Sequence, residues 1–564
     1  MFNEKRIYTI ILSSCSLIFF FVYIFLYTDL DRLVSSKSLS ISPPFIILNQ
    51  PDEAMNYFFI RTFVLESRFR VPQAYSEIAF SQVHPRSSTV IENSLAPIGF
   101  PGFIILCGLL LKILVFLFGD SFFNIFAISL TPFLAALAPL FVFFSLRRLF
   151  EEKTAFFSAL LLYIMPAWWY YASRPFQHNT IFVFFLILFL YMYSFFLEQG
   201  KLSSVKIFFM GLFLSLCVYI RSSEVLWLFV LAGALCFLSR KFWNFKKYFY
   251  ASLGVLLVLV LFFATQYLYY GHPLGSGYVV PRNGLAGLIT SGPQGIPFLQ
   301  ALVAPFGWHP FAIFYNVYHY FGVLFWPWSL SFVFFLISLI FFLYRKDPTK
   351  CQDISSKRLY SYLAVFAFVS LYLLLYYGSW SFFDNLAGKP SVASSHVRYF
   401  LPLYLGALPF FGVFFSWLSS YFKRIGFVLS ILWIFGLSLL SYRVVFNSFE
   451  GLNHIKQTVS SYYNWQKEIL FYVEPGAVIV TQYADKYLFP HRDIIPGLTS
   501  DMSFQAVQAL LDNNKQVFYY DLKLNTDDRV LGENMQRYGF GLLAPLWSVQ
   551  DLELRRIEKN TGLR

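Results

Sequence analysis

The sequence predicts an α-helical polytopic membrane protein of about 11 transmembrane helices plus interfacial helices, with a small extracytoplasmic α/β domain at its C-terminal end. Three observations carry this. The 564 residues are 57% hydrophobic, with 72 Phe and 38 Tyr and only 13% charged residues, more apolar surface than a globular core needs. The apolar residues gather in runs long enough to cross a bilayer. The polarity changes sharply after residue 443, where the long apolar runs stop.

The runs expected to span are 7–27, 122–145, 155–172, 179–197, 203–220, 223–239, 248–270, 322–344, 359–377, 399–419 and 425–443. No small-residue cleavage site follows the first, so it reads as a retained signal anchor. With these eleven crossings the basic loops fall on one side: Lys5-Arg6, Arg147-Arg148 with Lys153, Lys201 with Lys206, Arg240-Lys241 with Lys246-Lys247, Arg345-Lys346 through Lys357-Arg358, and Lys423-Arg424. That side is expected to be cytoplasmic. The net charge of +13 is thereby explained by topology, and nucleic acid is not an expected partner. The chain reads as an integral protein of the plasma (cytoplasmic) membrane, with membrane lipids as partners.

The segment 99–118 is apolar enough to cross, yet a crossing there would put Lys5-Arg6 opposite every other basic loop. It is expected to be re-entrant or to lie in the interface, with Lys112 reaching toward headgroups; a genuine crossing is the competing reading. The outer stretches are then 28–121, 271–321, 378–398 and everything from 444 on. Residues 1–443 form the membrane domain and 444–564 the outer domain. In the latter, Ala477–Thr481 and Gln516–Tyr520 read as buried strands, and Ser503–Asp512 as an amphipathic helix between them. The five cysteines, Cys15, Cys107, Cys217, Cys236 and Cys351, lie outside that domain and have no disulfide or metal spacing.

Chemistry is expected at Asp52 and Glu53. They follow Pro51 and open a short helix, Ala54–Phe69, where acids suit the N-terminus. The same long loop carries Arg61, Arg68, Arg70 and His84-Pro85-Arg86. An acidic pair in an outer loop is by default solvated; long loops in compact membrane proteins are more often functional. The loop 271–321, rich in Gly and aromatic residues (Gly271-His272-Pro273-Leu274-Gly275, Phe306-Gly307-Trp308-His309-Pro310), fits either a gate or an interfacial aromatic belt.

The stretches Pro51-Asp52-Glu53-Ala54, Ala96-Pro97-Ile98-Gly99-Phe100 through Phe118-Gly119-Asp120, Arg147-Arg148-Leu149-Phe150 and His396-Val397-Arg398-Tyr399-Phe400-Leu401-Pro402 resemble, in order and spacing, the C-type superfamily of membrane glycosyltransferases. The likeness covers roughly residues 1–440 and is strongest to the branch of protein O-mannosyltransferases and aminoarabinose transferases. The resemblance implies a polyprenyl-phosphate-linked sugar donor used at the outer face, with a lipid, glycan or protein acceptor. It also implies an interfacial helix at 99–118.

A phosphate leaving group is already a stable anion, so such a transfer needs a carboxylate base for the acceptor hydroxyl and cations for the phosphate. Attack opposite the phosphate inverts the anomeric centre. Asp52 is the expected base, with Glu53 positioning a ligand or metal. Arg221, Arg398, Arg174 and His84 are the expected donor-binding residues, and Arg282 the next after them. Each arginine also fits a snorkelling or salt-bridged flank, Arg221 with Glu224 above all. No cofactor is required, but a divalent metal stays open. Where relatives often carry an Asp in the second outer loop, this chain has His178-Asn179, so a metal would need His84 or His178 instead. The alternative functions are a lipid-linked glycan transporter, polymerase or ligase, and a non-enzymatic scaffold. A transporter would place charges or repeats at mid-membrane, which this sequence lacks.

Overall fold

The computed structural model describes residues 4–27, 45–199, 202–277, 307–344, 356–380, 389–523 and 529–560; residues 278–306 of the loop 271–321, Arg282 included, and most of the loop 345–358 lie outside them. The chain divides into two compact units. One comprises Met1–Leu30, Ile125–Phe263 and Asn283–Ile455, and the other Asp31–Asn124, Ala264–Arg282 and Lys456–Arg564.

The first unit is a bundle of apolar helices. Among the described residues of the whole chain, eight helices are long and apolar enough to cross a membrane, or up to 11 if each of three bent pairs is one span. The number agrees with the sequence expectation, although its members differ. Pro101–Phe118 meets the length and apolarity criterion, and Ser204–Ile220 and Ser222–Leu238 form one pair bent by 117°. Two of the bends have a local feature at the break. Pro166, which has no amide proton to donate, opens the second half of the 55° pair Glu152–Ile164 and Pro166–Ala172. At the 117° bend Arg221 is extended, φ −139° and ψ 90°.

Hydrocarbon satisfies no hydrogen bond, so polar groups inside the bundle partner one another. The helix Glu4–Tyr23 docks on Glu152–Ile164 this way. Ser16 Oγ lies 2.6 Å from the Tyr163 hydroxyl, which donates to the Leu12 carbonyl at 2.9 Å, while Tyr23 donates to the Tyr163 carbonyl at 3.0 Å. Glycine sets the close approaches. A Cβ at Gly211 would sit 2.1 Å from the Ala251 carbonyl oxygen, and one at Gly412 2.4 Å from that of Thr154.

The second unit joins the first outer stretch to the C-terminal domain. Its five-stranded sheet uses β4 (Val478–Val480), β5 (Asp493–Ile495), β6 (Val517–Leu522), β7 (Phe540–Val549) and β8 (Leu552–Lys559), in the order β5-β4-β6-β8-β7. The pairs β4–β5 and β4–β6 are parallel; β6–β8 and β7–β8 are antiparallel. Thus the two strands expected from the sequence pair directly, and the expected helix is Asp501–Asp512. Alternation along the strands buries both faces. Val478, Val480, Val517 and Ile557 pack with Phe504, Val507 and Leu510 on one side, and Ala79 and Val83 of the outer stretch complete that layer. Ile479, Ile494, Phe518 and Leu554 pack with Ile469, Val473 and Ile47 on the other. A smaller antiparallel sheet of β1 (Val71–Pro72), β2 (Ser88–Ile91) and β3 (Ser94–Pro97), ordered β1-β3-β2, follows the helix Pro51–Glu66. Pro101–Phe118 belongs to this unit too. Its Lys112 donates through Nζ to Ser67 Oγ at 2.8 Å and lies over the Phe63 ring.

Candidate active site

Two clusters contain the residues singled out in the sequence, one in each unit. In the second unit Gln50-Pro51-Asp52-Glu53 starts the helix Pro51–Glu66. Pro51 is at N1, where its missing N–H costs nothing, and Glu53 at N3 reaches back so that its Oε2 accepts from the Gln50 amide at 3.3 Å. Glu53 is 0% exposed. Its carboxylate is therefore built into the helix start, and the expectation that it positions a ligand gains no support from this placement.

Asp52 is the half-buried member of the pair. Ser87 Oγ donates to its Oδ1 at 2.5 Å, a charge-assisted bond at the short end of the range. Ser87 is in the left-handed region, φ 61°, at the end of a loop that is clamped from the other side. Asp485, 1% exposed at its side chain, accepts from the Arg86 backbone amide at 2.9 Å, from Nε at 3.1 Å and from Nη2 at 2.6 Å. The Arg86 guanidinium also lies 5.5 Å from the Tyr483 ring centre. A planar fork on a buried carboxylate fixes both position and orientation. The chain of contacts is thus Asp485 to Arg86, then along the backbone to Ser87, then to Asp52.

His84 lies beside this clamp with Nδ1 3.1 Å from the Pro85 carbonyl, the geometry of an Nδ1–H donor. Burial lowers its pKa below 6.5, against smaller opposing effects of that carbonyl and of Asp485. It is a neutral imidazole at pH 7, which argues against the expected role of a phosphate-binding cation.

In the first unit the structure gathers Arg221, Glu224, Tyr377, Tyr399 and Arg398. Arg221 Nη2 pairs with Glu224 Oε1 at 2.7 Å, both side chains being almost fully buried. Tyr377 donates to the same oxygen at 2.6 Å, and the Trp227 indole donates to Glu224 Oε2 at 2.5 Å. Both arginines lie over the Tyr399 ring, whose centre is 4.8 Å from the Arg221 guanidinium carbon and 5.2 Å from that of Arg398. Arg398 is half-buried and donates to Ser395 Oγ at 2.7 Å. Arg174, 0% exposed, donates to the Tyr170 hydroxyl at 2.8 Å. Of the three, Arg221 is committed to a buried carboxylate and Arg174 to the bundle interior. Arg398 is the partly exposed member of the three.

Among the described residues no group of three His, Cys, Asp or Glu side chains is arranged to hold a metal ion. His178 and Asn179 are buried, at 2% and 1% exposure. Among the described residues the donor set does not fit the metal that the resemblance leaves open.

Sequence reasoning missed Ser87, Asp485 and Tyr377. Ser87 adjoins the His84-Pro85-Arg86 stretch, but nothing local distinguishes its hydroxyl. Asp485 lies 399 positions from Arg86, and no periodicity reports such a pairing.

The chain is an integral membrane protein with a multispan helical unit and an α/β-containing unit, and it shares its fold with solved structures of ArnT. Residues 104–267 match the family described as dolichyl-phosphate-mannose-protein mannosyltransferase. No curated protein matches the sequence. Similar solved structures include ArnT from Cupriavidus metallidurans in the apo state, 11% identical with a TM-score of 0.55 over 98% of each chain. The same protein bound to undecaprenyl phosphate is 10% identical with a TM-score of 0.55, over 97% of each chain. The archaeal oligosaccharyltransferase AglB from Archaeoglobus fulgidus, in complex with an inhibitory peptide and a dolichol-phosphate, is 13% identical with a TM-score of 0.50, over 97% of this chain and 75% of that one. The family match and the fold thus agree with the likeness seen in the sequence, and with the general reaction of sugar transfer from a lipid-linked donor.

Proposed function

We propose that this protein transfers a sugar, with inversion, from a polyprenyl-phosphate donor to an acceptor hydroxyl at the outer membrane face. The observation that carries this reading is the held but half-exposed carboxylate of Asp52, beside a Glu53 that is fully buried as a helix cap. A general base must reach a substrate proton in one fixed orientation, and of the two acids only Asp52 has the exposure to do so. Ser87 orients the carboxylate through Oδ1, which directs the remaining lone pairs toward the acceptor.

Asp52 takes the proton from the acceptor hydroxyl as its oxygen attacks the anomeric carbon, and the polyprenyl phosphate leaves as an anion. Arg398 holds that phosphate. Arg221 acts through Tyr399, the ring shared by both guanidiniums, and keeps the Arg398 stretch in register. The mannosyltransferase family match, the undecaprenyl phosphate bound to ArnT and the dolichol-phosphate bound to AglB support this donor class.

The test is a purified, reconstituted assay with polyprenyl-phosphate-linked sugars, with NMR of the product anomer. Asp52→Asn should cut turnover by roughly 10²–10⁴-fold with the donor's KM little changed. Normal turnover in that variant, or a product that retains the donor's anomeric configuration, would overturn the proposed mechanism.

A further inference from the structure

Two basic loops well separated in sequence line one cavity. It measures about 650 Å³ and is bounded by Lys153, Lys423 and Arg424, by Ser419 and Ser420, and by Phe427 and Val428. All belong to the helical unit. Lys153 is in the first turn of Glu152–Ile164, and Lys423 and Arg424 open the 25-residue helix Lys423–Asn447.

Three properties of this cavity go together. Among the described residues, none of its three cations forms an ion pair, and no acid lines it. Glu151, two residues before Lys153, accepts from Ser416 Oγ at 3.2 Å. Second, the start of a long helix faces the same place. Its first amides have no partner within the helix, so they add positive potential beside the lysine and arginine. Third, the lining is apolar as well as basic. Phe427 is 48% and Val428 54% exposed, and Ile425 next to them is 69% exposed.

Loop charges that only orient a membrane protein need no cavity, and they need no apolar flank within it. A free inorganic anion would use the charges but not Phe427 and Val428. We infer that this cavity binds the phosphate headgroup of an anionic membrane lipid, with its acyl chains running along Phe427 and Val428. The site shares no residue with the proposed transfer chemistry, and its cations belong to the basic stretches that the sequence expects on the cytoplasmic side. Basic pockets between membrane helices suit such headgroups because each nearby Lys or Arg strengthens retention about fivefold, the equivalent of about 1 kcal/mol.

The experiment uses the full chain purified in detergent, with bound lipid read by native mass spectrometry and by thermal stabilisation. Phosphatidylglycerol should be retained and should stabilise the protein, whereas phosphatidylcholine should do neither. The triple variant Lys153→Gln/Lys423→Gln/Arg424→Gln should weaken retention by about a hundredfold. Each single Gln variant should weaken it about fivefold, which keeps the test available if the triple variant folds poorly. Raised salt should weaken binding in the wild type more than in the variants. Equal stabilisation by inorganic phosphate at matched concentration would make the ligand a free anion and overturn the lipid assignment. Undiminished retention of phosphatidylglycerol in the single variants would overturn the site itself.

Discussion

The clamp between Arg86 and Asp485 should control Asp52 without touching substrate. In the Asp485→Ala variant the Arg86 fork and backbone amide lose the carboxylate that accepts from them at 2.6–3.1 Å. Removing one partner of a fully buried, hydrogen-bonded pair costs about 3–5 kcal/mol. Here the Arg86 side chain is 33% exposed, so water recovers part of that loss, and about 2–3 kcal/mol is expected. For a unit of this size, each kcal/mol moves the unfolding midpoint by about 2–4 °C, giving a drop of about 4–12 °C. The second consequence is functional. Ser87 is the next residue after Arg86, so a loosened loop releases the 2.5 Å contact to Asp52. Displacing a catalytic group by about 1 Å can cost a hundredfold, so turnover should fall about ten- to a hundredfold. The donor's KM should stay near its original value, because the clamp contains none of the proposed phosphate residues. The assay is a double-mutant cycle of Asp485→Ala and Arg86→Ala, with unfolding and turnover measured for all four proteins. If the two substitutions act through the clamp, the double variant should be little worse than either single one. Additive losses in stability and turnover would refute the argument.

Three further outcomes follow from the same geometry. Ser87→Ala should lower turnover several-fold with unfolding changed by about 1 kcal/mol or less, whereas Ser87→Thr should restore part of it; equal rates in all three proteins would remove Ser87 from the site. Arg398→Gln should raise the donor's KM about ten- to a hundredfold, while Arg221→Gln should chiefly lower stability, since it strands Glu224; thermal unfolding beside donor titration separates the two. Burial lowers the pKa of His84 and of His491 below 6.5, so the unfolded chain binds more protons as the pH falls below that value. Their contribution to stability is therefore complete above pH 6.5 and is lost as the pH falls through the folded values. His84→Gln should flatten the decline measured between pH 6.5 and 5. Asp493, raised by burial, acts in the opposite sense: its contribution is present below the ordinary carboxylate range and is lost as the pH rises through its folded value.

Much of the helical part was legible because its signals are local. A run such as 401–421 must pair its own amides in hydrocarbon, so hydropathy alone locates a helix, and the observed Leu401–Tyr421 matches it within two residues of the expected 399–419. The strands Val478–Val480 and Val517–Leu522 were legible for a similar reason, since short β-branched and aromatic runs bounded by turns mark buried parallel strands. The hairpin Phe540–Val549 and Leu552–Lys559 was not. Its burial is irregular, with Leu543 and Leu546 exposed and a register shift at Pro545, so no clean alternation announces it.

The site was legible only in part, and the reason lies in what each residue needs. Asp52 could be found because it stands next to Pro51 at a helix start, a pattern within four residues. What distinguishes Asp52 from Glu53 could not be found there, because it depends on which carboxylate the fold buries. The same holds for the arginines. In sequence Arg221 and Arg398 are two basic residues near helix ends, and both suit a phosphate. In the structure Glu224, three residues after Arg221, takes that guanidinium together with Tyr377 and buries it, while Arg398 stays partly exposed. A charge paired by its own fold cannot also be spent on a ligand without leaving its partner unpaired in a buried place, which costs more than a phosphate contact returns. The choice between the two arginines therefore follows from their partners rather than from their positions, and Arg398 is the one whose removal should be read in donor binding.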